Sequence, residues 1–155
     1  MKMMMMNSAF NSNTEIALRI LLSLYACEES LSVDELVILD FVTVYAKDFG
    51  ITTYNLHGDN KSKESEFAAR RQQVKEAIRF LVTQDYVDVE EAENGFLFSI
   101  NANGTALCDS MESTYAADYT AAAIKAAEYA KTHGLETVLS DINRKALDFH
   151  KEGKK

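Results

Sequence analysis

The stretch Tyr86-Val87-Asp88-Val89-Glu90-Glu91-Ala92-Glu93-Asn94-Gly95-Phe96-Leu97-Phe98-Ser99-Ile100 decides how the rest of the chain is read. Residues 86–90 and 96–100 follow the period-two pattern of half-buried strands, and the Asn94-Gly95 pair between them is a hairpin signal because both residues tolerate positive φ. Upstream lie helical patterns. The first runs from a cap at Asn13 or Thr14 to Cys27, apolar on most sides. The second opens on the capping box Ser32-Val33-Asp34-Glu35, continues to about Lys47, and meets a glycine stop at Phe49-Gly50. A polar segment without periodicity, from Ile51 to Ser65, is expected to be a long loop. The third helix, Ser65 to Thr83, places Phe67, Val74, Ile78 and Leu81 on one stripe.

Helix, helix, helix and hairpin is the order of a winged helix-turn-helix. The predicted fold is therefore mainly α: a winged helix-turn-helix domain with a two-stranded wing, closed by a short helix over Thr105–Met111, and a C-terminal helical extension. The expected division is an N-terminal segment 1–12, a winged-helix domain 13–113 and an extension 114–155. The extension holds two helices. One, about Tyr115 to Thr132, carries Tyr115, Tyr119, Ala122, Ala126 and Tyr129 on one face; after Gly134 the other aligns Leu135, Val138, Leu139, Ile142, Ala146 and Phe149. These faces either pack on the winged domain or form a surface for a partner or for self-association, for which Tyr115, Tyr119, Tyr129, Leu139, Ile142 and Phe149 are the candidates.

Composition narrows the function. The 155 residues include no proline, which permits long helices, and 47% of them are hydrophobic, enough to build a core. A net charge of -8 and a pI near 4.9 oppose a broad phosphate-facing surface. Cys27 and Cys108 sit in separate apolar patterns and read as buried thiols of a reducing compartment. The apolar run Met3–Met6 is too short for a signal peptide or membrane span, which places the protein in the cytoplasm without a membrane partner. His57, His133 and His150 are far apart in sequence and lack metal-ligand spacing, and no phosphate loop, nucleophile elbow or catalytic carboxylate motif stands out. No cofactor is expected, and the expected role is not enzymatic.

A winged helix first suggests DNA. In that reading Arg70, Lys75 and Arg79 contact phosphates, Gln73 reaches a base edge, and Lys61 and Lys63 add charge. The wing argues the other way, with Asp85, Asp88, Glu90, Glu91 and Glu93 and no lysine or arginine between Asp85 and Ser110. Unit charges about 4 Å apart interact by roughly 1 kcal/mol even in water, so such a wing opposes docking on a polyphosphate by a few kcal/mol. It is better matched to protein. Asp40 in an apolar helix and Arg71 on an apolar stripe both need partners, and a structural ion pair between them is expected, with Arg19 or Glu15 as alternatives.

Phe10-Asn11-Ser12, Glu15 and Arg19, Leu39-Asp40, Leu56-His57, Asp59-Asn60, Glu66, Arg70-Arg71, the wing with Gly95, and Asp109-Ser110-Met111-Glu112-Ser113-Thr114-Tyr115 together resemble the middle component of bacterial ABC three-component systems, the small subunit of Lamassu-type defence operons. The likeness extends to about Ala130; Gly58 departs from it, standing where proline is expected. The resemblance implies a non-catalytic adaptor joining an SMC-like coiled-coil ATPase to an effector, commonly a nuclease, in a complex that senses foreign DNA from phage or plasmids, with DNA as a possible partner through the assembled complex. From the residues alone, a dimeric winged-helix transcription regulator is the alternative.

Overall fold

The computed structural model describes residues 12–57 and 63–153, with the backbone alone considered for 63–66, 68 and 145–153. Helix α1 (Asn13–Cys27) is capped by Ser12, whose extended backbone lets its Oγ accept from the Glu15 amide at 3.2 Å. The cap is thus one residue earlier than Asn13, because Asn13 has already turned helical. Glu28 ends the helix in the left-handed region at φ 56°, its amide bonding the Leu24 carbonyl. Helix α2 (Val33–Val44) opens on the expected capping box: Glu35 N donates to Ser32 Oγ at 3.1 Å and Ser32 N to Glu35 Oε1 at 2.9 Å. A single 3₁₀ turn, Ala46–Phe49, follows and stops at Gly50, φ 74°.

Helix α3 (Lys63–Thr83) leads through Asp85, held at φ 65°, into strand β1 (Val87–Ala92), which pairs antiparallel with β2 (Gly95–Ile100). Ala92 pairs with Gly95, so the turn is tighter than the five-residue linker suggested by the pattern. Gly95 alone in this turn takes a positive φ, 128°, so the turn does not use Asn94 as the hairpin signal implied. Leu31 adds a one-residue bridge to the other edge of β2, exchanging both backbone bonds with Phe98 at 2.9 Å.

Helix α4 (Ala102–Asp109) starts three residues earlier than its apolar pattern suggests, because Asn101 caps it by accepting from the Gly104 amide at 2.9 Å. Gly104 faces the hairpin root so closely that a Cβ there would lie 2.4 Å from the Tyr86 carbonyl oxygen and 2.6 Å from Ile100 Cγ1. Helix α5 (Thr114–His133) and helix α6 (Leu135–Gly153) complete the chain.

The molecule is mainly helical with one small two-stranded antiparallel sheet. Apolar on nearly all sides, α1 and α2 are buried at the centre: α1 packs on α2, α3, α4 and α5, and α2 also meets α3, α5 and α6. Ile20, Leu21, Leu24, Leu36, Val44 and Val74 form the inner core. Alanines 122, 123 and 126 let α5 lie close against the two central helices, and Val138 and Ile142 anchor α6.

Candidate functional site

Asp40 is fully buried in the middle of α2, and charge in an apolar interior is tolerated only when its oxygens are matched. Arg19 of α1 approaches side-on, donating from Nε to Oδ1 at 3.0 Å and from Nη2 to Oδ2 at 3.2 Å. Arg70 of α3 donates from Nη1 to Oδ2, and its guanidinium lies 5.5 Å from the Phe41 ring centroid. The Tyr119 hydroxyl of α5 donates to Oδ1 at 2.5 Å and lies 2.9 Å from the Ser23 hydroxyl. Four helices are therefore tied at one carboxylate. Burial pushes the Asp40 carboxyl upward, but the Arg19 and Arg70 guanidiniums outweigh it and hold the group below the usual carboxylate range.

A second layer rests on this cluster. His57 Nε2 lies 2.7 Å from the Tyr115 hydroxyl, with the two rings nearly parallel at 5.9 Å, and Tyr115 packs on Tyr119 at 6.2 Å. Burial, then the positive charge of Arg19, pushes His57 down to about 3, so its imidazole is neutral at physiological pH. Burial likewise raises Tyr115 and Tyr119, which keeps both phenols protonated. Cys27 is pushed up to about 11 and Cys108 to about 12, chiefly by burial, so both remain thiols. Among the described residues no group of three or more His, Cys, Asp or Glu is arranged to hold a metal ion. No helix among them is long and apolar enough to cross a membrane.

The expected Asp40–Arg71 pair is corrected. Arg71 is exposed and reaches Asp34 at 3.3 Å, whereas the adjacent Arg70 turns inward to Asp40. Both arginines fit the apolar spacing of α3. The buried line, however, is Arg70, Val74, Ala77 and Leu81, which leaves Arg71 at its margin. Arg19, named only as an alternative, supplies both oxygens of Asp40 with a donor. Arg70 is consequently withdrawn as a phosphate contact, being 1% exposed. Lys75 and Arg79 do face solvent, and Gln73 is half-buried in a groove with Asn13, Thr14 and Phe80.

The proposed partner face of the two C-terminal helices also needs correction. Tyr119 and Ile142 point into the fold, at 0% and 3% exposure, and are unavailable to a partner. Tyr115 is half-buried against His57, and Tyr129 packs its ring against Phe49 and His133. Leu139 remains exposed. The side chain of Phe149 lies outside the described residues, as do Phe10, Asn11, Gly58, Asp59, Asn60, Lys61 and the side chains of Lys63 and Glu66. Ser23 and Tyr119 are the members of the cluster whose polar role periodicity missed. The available signal was a hydroxyl on an otherwise apolar helical face, repeated on two helices.

Arg19, Asp40, His57, Arg70 and Tyr115 belong to the separate short motifs that carry the family resemblance, and the fold gathers them within one layered cluster. The family model for the ABC-three component (ABC-3C) system Middle Component 2 matches residues 9–152. The chain belongs to this family. Middle Component 2 proteins, by that description, are one component of a three-component system. No match was found among curated proteins or among solved structures.

Proposed function

We propose that this Middle Component 2 protein is a non-catalytic, cytoplasmic adaptor that joins an SMC-like coiled-coil ATPase to an effector nuclease in a complex directed against foreign DNA. One observation carries the reading. Arg19, Asp40 and Arg70 of the family motifs converge on a buried ion network that, with Tyr119, ties α1, α2, α3 and α5 together, instead of lining an open cleft. Residues so placed set the shape of a surface; they do not meet a substrate. The α1–β2 portion serves as a winged helix in this reading, supported by the helix and hairpin order and by the one-residue Leu31–Phe98 bridge on the free edge of β2. The wing carries exposed Asp88, Glu90, Glu91 and Glu93, a surface suited to polypeptide more than to phosphate.

A tagged copy expressed with its native neighbouring genes and purified for mass spectrometry tests this. Recovery of an ATPase with a coiled coil and of an effector is expected; recovery of neither removes the reading. The exposed Lys75 and Arg79 of α3 favour a second one, a dimeric winged-helix regulator. That reading requires salt-dependent, operator-selective DNA binding by the isolated protein, lost in Lys75→Ala/Arg79→Ala.

A further inference from the structure

The hairpin leaves one strand edge open. Phe98 spends its N–H and C=O on Leu31, on the side of β2 away from β1. Its cross-strand partner Val89 therefore belongs to a non-hydrogen-bonded pair and turns its own N–H and C=O toward the far edge of β1. By the period of two, Glu91 does the same. Among the described residues no strand pairs with that edge.

The side chains around it are unusual for a protected edge. Val89 is 47% exposed and Phe96 56% exposed, and the register puts them on the same face, diagonal to one another, where the sheet leaves the body of the protein. A charged edge that served only to prevent pairing would not need an exposed phenylalanine beside it. Glu91 shares that face, Asp88 and Glu90 stand on the opposite face of the same strand, and Glu93 lies in the turn, all exposed, so carboxylates flank the open edge on both sides. The charge selects the occupant. A second copy placing its own β1 against this edge would set carboxylates against carboxylates, and a nucleic acid would set phosphates against them.

We infer that the open edge of β1 takes up, by strand addition, an extended lysine- and arginine-bearing segment of another protein of the same system, with Val89 and Phe96 as its apolar anchors. The inference rests on the adaptor reading. Backbone pairing supplies register, the two apolar side chains pack beside same-face side chains of the added strand, and the carboxylates favour a cationic sequence over competing strands.

The test uses the full chain co-expressed with the other genes of its system, with the photoreactive residue p-benzoylphenylalanine at position 96. Irradiation is expected to link position 96 to a lysine- or arginine-rich segment of another component, identified by peptide sequencing. Glu90→Lys/Glu91→Lys is expected to weaken the assembly at least tenfold and to flatten its dependence on salt, with an unchanged thermal melt. Glu136→Lys, a charge reversal on exposed α6, is the control and should leave affinity as it was. Assembly of the complex without cross-linking, cross-linking to a second copy or to an acidic segment, or full affinity in the double variant overturns the inference and leaves the adaptor reading standing. Failure of the unmodified protein to assemble with any component overturns both.

Discussion

Replacing Asp40 by asparagine keeps the shape of the side chain and removes its charge. The guanidiniums of Arg19 and Arg70 would then sit in the core beside a neutral amide. Removing one member of a buried ion network costs about 3–5 kcal/mol, since the remaining charges lose their counter-ion and regain no water. For a chain of this size each kcal/mol lowers the melting temperature by about 2–4 °C, so Asp40→Asn should melt about 6–20 °C below the parent. Arg71→Met is the internal control. Its bridge to Asp34 joins side chains 51% and 72% exposed, and such pairs contribute about 0–1 kcal/mol. Differential scanning calorimetry of both variants at neutral pH reads the contrast.

The triple change Arg19→Met/Asp40→Leu/Arg70→Met removes every charge of the cluster together. Apolar replacements of buried ion networks are often neutral or stabilising by about 1–4 kcal/mol, so the triple variant should melt above Asp40→Asn. A melting temperature for Asp40→Asn within about 2 °C of the parent would refute the reasoning, because that corresponds to only about 1 kcal/mol. It would mean that Asp40 does not carry the charge balance of the core.

The remaining expectations are local. His57 titrates near 6.5 when unfolded and is held down to about 3 when folded. Between those values the unfolded chain binds the extra proton, so stability contributed by neutral His57 is complete above 6.5 and falls with pH by up to about 1.4 kcal/mol per unit. Urea melts at pH 7.5 and 5 should therefore show a larger loss for the parent than for His57→Phe, and equal losses would contradict the assignment. In Gly104→Ala the new methyl meets the Tyr86 carbonyl oxygen, and overpacking of this kind costs about 1–3 kcal/mol, readable as a lower urea midpoint. Ser32→Ala removes the N-cap of α2 and should cost about 1 kcal/mol in the same assay, whereas Ser32→Gly should cost only a few tenths.

What could be read from the sequence follows the range of the forces involved. The capping box at Ser32 and Glu35 depends on groups three residues apart, and the hairpin depends on alternation and a nearby glycine, so both are visible in a short window. That Asp40 must be paired was equally visible, since nothing in an apolar helix can replace its water. Its partners were not. Arg70 and Arg71 both satisfy the spacing of α3, and the choice depends on the rotation of that helix against α1 and α2, which is set by contacts far away in sequence. Tyr119 shows the same limit: periodicity marks an apolar face but does not say whether the protein or a partner covers it. Ala102–Gly104 precedes the apolar pattern of α4, which begins only at Thr105. It is helical because Asn101 caps it, and the tertiary part is the choice of glycine at 104, where α4 passes close over the hairpin root.

The buried cluster and the exposed hairpin are linked through α1. Arg19 ties the middle of that helix to α2 at Asp40, and beyond its C-terminal end Leu31 pins β2 through Phe98. At the root, Asn101 and Asn103 donate to the Asp85 carbonyl oxygen at 3.0 and 3.1 Å and hold a non-glycine residue in the left-handed region, a conformation that persists only when its surroundings enforce it. The base of the hairpin is thus held from the Leu31, Asp85 and Gly104 sides, while Val89 and Phe96 stand clear of the core. A strand edge held rigid before it meets its partner loses little further conformational freedom on docking. The ion network fixes α1, and α1 helps to fix the direction in which the acidic hairpin points, which under the proposed strand addition is the network's contribution to assembly.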